Sequence, residues 1–336
     1  MDGSGATGDY VSDTFTIGGT TLAQLQFGIG YESTSPEGIL GIGYEANEVQ
    51  AGRLGKPAYN NLPAQLVADN KIQSNAYSLW LNDLDASTGS ILFGGVDTEQ
   101  YHGSLLSVPI QTEDGEFAEF FITLTELTLG STVIASQQAL GVLLDTGSSL
   151  TYLPDTMIEA IYQETGAQWN NDLSSAYVAC SLASNTTTLD FTFSSVVISV
   201  TMDELIIPYS SGPFPDGTPA CLFGLAPSGG GSSVLGDTFL RSAYVVYDLD
   251  NNEISLAQTN FNASTSNIVE IGTGTGAVPD ATLVASPVAA TAGINNIGET
   301  EGILFTTTNG SPQRTPPPAV FGAVAAVGAG MIYAAM

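Results

Sequence analysis

The chain has 336 residues, 43% of them hydrophobic, which is enough material for the cores of two domains. It carries 5 Lys and Arg against 34 Asp and Glu, a formal net charge of −29, with one histidine, His102. Such a polyanion repels nucleic acid and anionic lipid surfaces; with so few bases it gains little positive charge in acid, so the composition predicts adaptation to acidic surroundings, with an aid to solubility alone as the other reading.

At the amino end, Met1-Asp2-Gly3-Ser4-Gly5 has neither a basic nor an apolar stretch, so no signal peptide is read there. From there to about residue 262, short runs of Val, Ile, Thr, Phe and Tyr alternate with Gly, Asn, Asp and Ser turns, which is a β pattern. Strands are predicted over 77–81, 90–93, 120–124, 191–200 and 243–247. Helix signals are few: 61–69, and 154–165 with Asp155 and Thr156 in its first turn and Gly166 as a stop. So many strands with so little helix predict an all-β fold in two lobes.

The most informative segment is Asp145-Thr146-Gly147-Ser148-Ser149-Leu150, directly after the apolar run 139–144. A strand that delivers a carboxylate into a tight Thr-Gly-Ser turn surrounds it with backbone N–H groups and hydroxyls, as a catalytic aspartate requires. Acid–base hydrolysis of this kind needs a second carboxylate. Asp13, Asp97, Asp155 and Asp237 each precede a threonine, but none is followed by the glycine. No metal-ligand cluster, phosphate loop or basic patch is present, so no metal or cofactor is implied. His102 has no Ser or Cys constellation around it and reads as a surface turn residue.

Cys180 and Cys221 are compatible with two buried thiols or with one bond. The triplets beginning at Asn185 and Asn262 are glycosylation acceptor patterns and favour the secretory route, an oxidising compartment and a disulfide. From 263 to 318 the composition changes to Ser, Thr, Ala, Gly, Pro and Asn and predicts a disordered stalk. Residues 319–336 are almost wholly apolar. Eighteen Gly- and Ala-rich residues without a basic flank make a poor permanent span. The small triplet Asn309-Gly310-Ser311, the proline-rich spacer 312–318 and this tail match a glycosylphosphatidylinositol (GPI) signal, with Asn309 favoured as the attachment residue and the neighbouring small residues as alternatives. Such a signal acts only on a chain that has entered the endoplasmic reticulum, so a natural amino terminus upstream of Met1 is expected.

Four segments in order, Gly38-Ile39-Leu40-Gly41-Ile42-Gly43-Tyr44, Ser90-Ile91-Leu92-Phe93-Gly94-Gly95-Val96-Asp97, the Asp145 motif continued to Pro154, and Val234-Leu235-Gly236-Asp237-Thr238-Phe239-Leu240, carry a resemblance. The chain resembles the pepsin-like aspartic proteases, and among them the fungal GPI-anchored yapsin-type group, from residue 2 to about 260. The resemblance implies a bilobal all-β fold with an incomplete amino-terminal lobe at 1–105, a carboxy-terminal lobe at 106–262, then the stalk and tail. It implies an aspartic endopeptidase at the fungal cell surface, GPI-linked to membrane or wall and monomeric, acting on peptide or protein substrates with basic cleavage sites. Asp145 would be the carboxy-lobe member of the dyad. Ser148 would hydrogen-bond its outer oxygen, Thr146 would tie two catalytic loops together, and Gly147 and Ser149 would border the substrate. Asp2, Gly3 and Ser4 match the tip of a substrate-covering flap, with a solvated turn as the alternative, and Cys180 and Cys221 match a family disulfide. Ile39-Leu40-Gly41 and Val234-Leu235-Gly236 would each cross beneath a catalytic loop. In the family a first Asp-Thr-Gly precedes the flap, so this chain reads as truncated at its amino end and inactive alone; a noncatalytic peptide-binding or wall protein is the alternative.

Overall fold

The computed structural model describes residues 6–34, 37–53, 55–209, 212–294 and 331–334. Six sheets and a few short helices make up the fold. Asp2, Gly3, Ser4 and Asn309 lie outside the described residues, as does most of the 319–336 tail.

A long antiparallel hairpin, β1 (Ala6–Ile17) and β2 (Thr20–Ser33), opens the described chain. It is anchored by Leu22 and Leu25, which are buried, while most of its other positions face outward. Helix α1 (Leu62–Ala68) starts where Asn61 accepts a hydrogen bond from the Ala64 amide (3.4 Å), a cap that satisfies one of the free donors of the first turn.

The widest sheet has seven strands, in the order β23 (Thr282–Leu283), β6 (Tyr101–Pro109), β21 (Glu253–Thr259), β20 (Ala243–Asp248), β3 (Ala76–Trp80), β4 (Thr88–Phe93) and β24 (Met331–Ala334). Strand β20, in the middle, is buried at all six positions, as its unbroken Ala-Tyr-Val-Val-Tyr-Asp run requires when both faces are covered. Strands from both sides of residue 105 therefore share one sheet. Apart from it, β5 (Gly95–Asp97) pairs with β22 (Ile268–Glu270).

The later part of the chain builds three sheets. One carries β18 (Leu225–Pro227), β11 (Thr151–Leu153), β19 (Ser233–Leu235), β10 (Leu140–Leu144) and β7 (Phe121–Leu124). A second has β15 (Val196–Thr201), β14 (Thr188–Phe193), β8 (Glu126–Leu129) and β9 (Thr132–Ala135). Its inward residues, Phe191, Phe193, Ile198 and Val200, are fully buried and alternate with more exposed ones. The third comprises β12 (Gln168–Asn170), β13 (Ser175–Ala179), β17 (Ala220–Phe223) and β16 (Ile206–Ile207). Helix α2 (Asp155–Thr165) ends at Gly166, which adopts φ 72°, a left-handed cap that glycine takes without steric cost. Two single-turn helices, α3 (Met202–Leu205) and α4 (Asp237–Leu240), sit against each other. Cys180 and Cys221 form a disulfide with their Cα atoms 5.0 Å apart.

Three expectations change. The stretch from 263 does not run free of the fold: β22 pairs with β5, Ile271, Val278 and Val284 are buried, and Ser266 Oγ and the Asn267 amide donate to the Asp97 carboxylate at 2.6 and 2.8 Å. A few spaced apolar anchors suffice to hold an otherwise polar segment, so packing continues to residue 294; 295–318 lies outside the described residues. The second concerns Ile39-Leu40-Gly41, which forms no strand, and Ile39 is 92% exposed. A Cβ added at Gly38 or Gly41 would meet nothing within 4 Å, so the segment is not held in a close crossing as Gly236 is. His102 sits in strand β6 with an exposed side chain rather than in a turn.

Candidate active site

Strand β10 lies between β7, antiparallel, and β19, parallel, so Asp145 leaves the end of a buried three-stranded core. Its amide donates to the Leu235 carbonyl (3.2 Å), and the chain then turns, with the Ser148 amide 3.3 Å from the Asp145 carbonyl. The carboxylate folds back over this turn. The Gly147 amide donates to Oδ1 (2.8 Å) and Ser148 Oγ donates to Oδ2 (2.7 Å). Each carboxylate oxygen thus receives one donor from within its own motif, which holds the group in one orientation. A side chain at Gly147 would start 3.1 Å from Asp145 Oδ1, crowding the oxygen that the amide has to reach. Thr146 is half-buried and Ser149 exposed, and neither hydroxyl has a hydrogen-bond partner among the described residues.

The crossing segment supplies a second layer. Strand β19 runs beside β10 with Leu144 opposite Leu235, and the next residue, Gly236, passes directly under the turn. A Cβ there would collide with the carbonyl oxygens of Ser148 and Leu150. The Asp237 amide donates to the Ser148 carbonyl (2.8 Å), pinning the floor of the turn. Beneath it, Thr238 Oγ1 donates to the Gly224 carbonyl (2.9 Å) and lies 3.1 Å from the buried Thr151 hydroxyl.

This brings in carboxylates that the motif alone does not reveal. Asp237 is buried, with Oδ1 unpartnered among the described residues. Burial pushes its carboxyl up to about 6; Arg241 opposes that rise and the charge of Asp145 adds to it. Glu119 lies just ahead of β7 and accepts from Asn47 Nδ2 (3.2 Å) through one oxygen, while the other has no partner among the described residues. Burial, then Glu113 and Asp145, hold it above the usual carboxylate range, partly offset by the Asn47 bond. Tyr247 stacks on Tyr77 with ring centres 4.9 Å apart; burial and then the Asp145 charge disfavour its ionisation. Arg241, also buried, reaches the Leu81 and Asp83 carbonyls at 3.5 Å, and the Leu84 amide of the same loop donates to Glu204 (3.1 Å). Glu204 is pushed up to about 7, chiefly by burial. The signal for Asp237 is Gly236: a glycine forced by a close crossing delivers the next residue to the underside of the site.

The two acceptor asparagines, Asn185 and Asn262, are exposed. No helix among the described residues is long and apolar enough to cross a membrane.

An aspartic proteinase from Irpex lacteus superposes on this fold with a TM-score of 0.62 at 24% identity, covering 79% of this chain and 85% of that one. The class is therefore the pepsin-like fold, built almost wholly of sheets around an aspartate-bearing turn. Residues 1–259 match the family model described as eukaryotic aspartyl protease. The chain is 54% identical over 314 residues to the probable aspartic-type endopeptidase opsB of Aspergillus oryzae, covering 91% of this chain and 64% of that protein. It is 38% identical over 267 residues to secreted aspartic protease 8 of Candida albicans, covering 79% of this chain and 60% of that protein. The chain belongs to the eukaryotic aspartyl protease family, and it spans less than two thirds of the length of these two relatives.

Proposed function

We propose that the protein is an aspartic-type endopeptidase that hydrolyses peptide bonds with Asp145 as one carboxylate of a catalytic dyad. The observation that carries this reading is the two-point hold on Asp145, by the Gly147 amide and the Ser148 hydroxyl, at the end of a buried strand. In the reaction one carboxylate takes a proton from a water as that water attacks the peptide carbonyl; the other, protonated, gives its proton to the carbonyl oxygen. Collapse of the tetrahedral species expels the amine, which leaves with a proton. Two carboxyls that share a site ionise in separate steps, for which aspartic proteases are the standard example, so the reaction belongs to acid pH.

The 336 residues contain one Asp-Thr-Gly, so a polypeptide confined to them is proposed to be inactive by this route. The same single motif favours a second reading, a noncatalytic peptide-binding or wall protein. The two separate in one experiment. The 336-residue polypeptide, and one extended at its amino end to include a second Asp-Thr-Gly, are incubated with an unfolded protein substrate between pH 3 and 7. Acid hydrolysis by the longer chain alone, blocked by a pepstatin-type inhibitor and abolished by Asp145→Asn, supports the protease. Inhibitor-insensitive or absent hydrolysis by both overturns it.

Finer features are part of the same proposal. A preference for substrates with basic residues beside the cleaved bond belongs to the same reading, and a chain with 34 acidic and 5 basic residues suits it. Anchoring through Asn309 at the plasma membrane or wall, use of Asn185 and Asn262 as glycan sites, and a monomeric state complete the reading. Release of the protein from membranes by a phosphatidylinositol-specific phospholipase tests the anchor.

A further inference from the structure

A cavity of about 430 Å³ lies between the β12–β13 hairpin and residues 212–215, in a sheet other than the one that carries Asp145. Its size falls within the roughly 300–1,000 Å³ of small-molecule sites. Three aromatic side chains line it: Trp169 on edge strand β12, Tyr177 on β13 and Phe214 opposite. Trp169 is 38% exposed, far more than a structural tryptophan needs, whereas Trp80, in the central sheet, is 7% exposed.

Gln168, Asn171 and Asp172 line the same cavity, and their side chains make no hydrogen bond among the described residues. The walls are preorganised. Asn170 Oδ1 accepts from the Asp172 and Leu173 amides at 3.0 and 3.2 Å, which fixes the hairpin tip. The Phe214 amide donates to the Thr218 carbonyl (2.9 Å), which closes the facing turn. The disulfide Cys180–Cys221 joins the ends of β13 and β17 behind them.

Flat aromatic faces interleaved with amide and carboxylate groups suit a ligand that has apolar C–H faces and a rim of hydroxyls. Among the described residues no Lys or Arg lines the cavity, so an anionic ligand has no counter-charge there. We propose that this cavity is a binding site for neutral hexose oligosaccharides, with a pyranose ring stacked on Trp169 and its hydroxyls held by Asn171 and Asp172. The site acts independently of peptide hydrolysis, so its test does not depend on the proteolytic reading.

The experiment is calorimetric titration of the full chain with β-1,3-linked glucohexaose and with α-1,6-linked mannohexaose, using a neutral Gly/Pro/Tyr hexapeptide as comparison. Saturable binding of either oligosaccharide, weakened at least tenfold in both Trp169→Ala and Asn171→Ala and unchanged in Asp145→Asn, is the expected result. These substitutions are at the surface, and a matching thermal transition confirms that each variant is folded. No saturable binding of either sugar, binding of the hexapeptide alone, or sugar binding indifferent to Trp169→Ala and Asn171→Ala overturns the proposal.

Discussion

At the scale of single residues, the site depends on donors that hold one carboxylate. Ser148 Oγ is the only side-chain donor to Asp145 among the described residues, and a hydrogen bond to a charged group contributes roughly 1.5–3 kcal/mol. Ser148→Ala in a proteolytically competent protein is expected to lower kcat about tenfold or more with little change in KM, because it disturbs the reacting group rather than substrate contacts. Steady-state kinetics on a chromogenic peptide check this. The motif and its order along the chain were visible from the sequence, since a run of apolar residues ending in Asp-Thr-Gly-Ser has few other readings. Asp237, Glu119 and Glu204 were not, because one acidic residue out of 34 carries no mark of its neighbours until the chain is folded.

Among elements, the parallel pair β10 and β19 and the crossing at Gly236 set the floor of the site. Gly236→Ala would push a Cβ into two backbone carbonyls that cannot swing aside. Overpacking of this kind costs about 1–3 kcal/mol or more, and both a lower midpoint in urea and a loss of activity are expected. The disulfide spans 41 residues of sequence and braces β13 against β17. Replacing both cysteines by serine is expected to cost about 2–5 kcal/mol, read as a fall in thermal midpoint, while the β content by circular dichroism stays the same. Helices α1 and α2 were readable from the sequence, the second from the residues of its first turn and from Gly166 after it. The failure of Ile39-Leu40-Gly41 to form a strand was not readable, since pairing depends on what lies alongside.

For the whole molecule, the buried acids make stability depend on pH. Asp237 and Glu204 take up protons more readily folded than unfolded, so their contribution is complete below the ordinary carboxylate range. It is lost as pH rises through about 6 for Asp237 and about 7 for Glu204. Around Glu204 the facing charges are Asp83, Asp203 and Arg241, and only Arg241 favours its ionised form. The thermal midpoint is therefore expected to be higher at pH 4–5 than at pH 7.5. Glu204→Gln is expected to recover on the order of 2 kcal/mol at pH 7.5 with little effect at pH 4. A midpoint that rises toward neutrality would contradict the assignment. Packing of 263–294 gives a further expectation: a chain ending at residue 262 should melt several degrees below one ending at 294, because it exposes the pocket filled by Ile271 and Val278.

The sequence by itself determined the β-rich class, the candidate catalytic aspartate and the likeness to an acid protease family, because alternation, turn residues and a tight motif are local properties written at fixed spacing. Only the tertiary structure decided which strands share the central sheet, that residues beyond 262 belong to the fold, and which acids gather around Asp145. Those outcomes rest on contacts between segments some 200 residues apart or more, such as the Tyr44 hydroxyl donating to Asn252, and no local pattern encodes the partner at the far end.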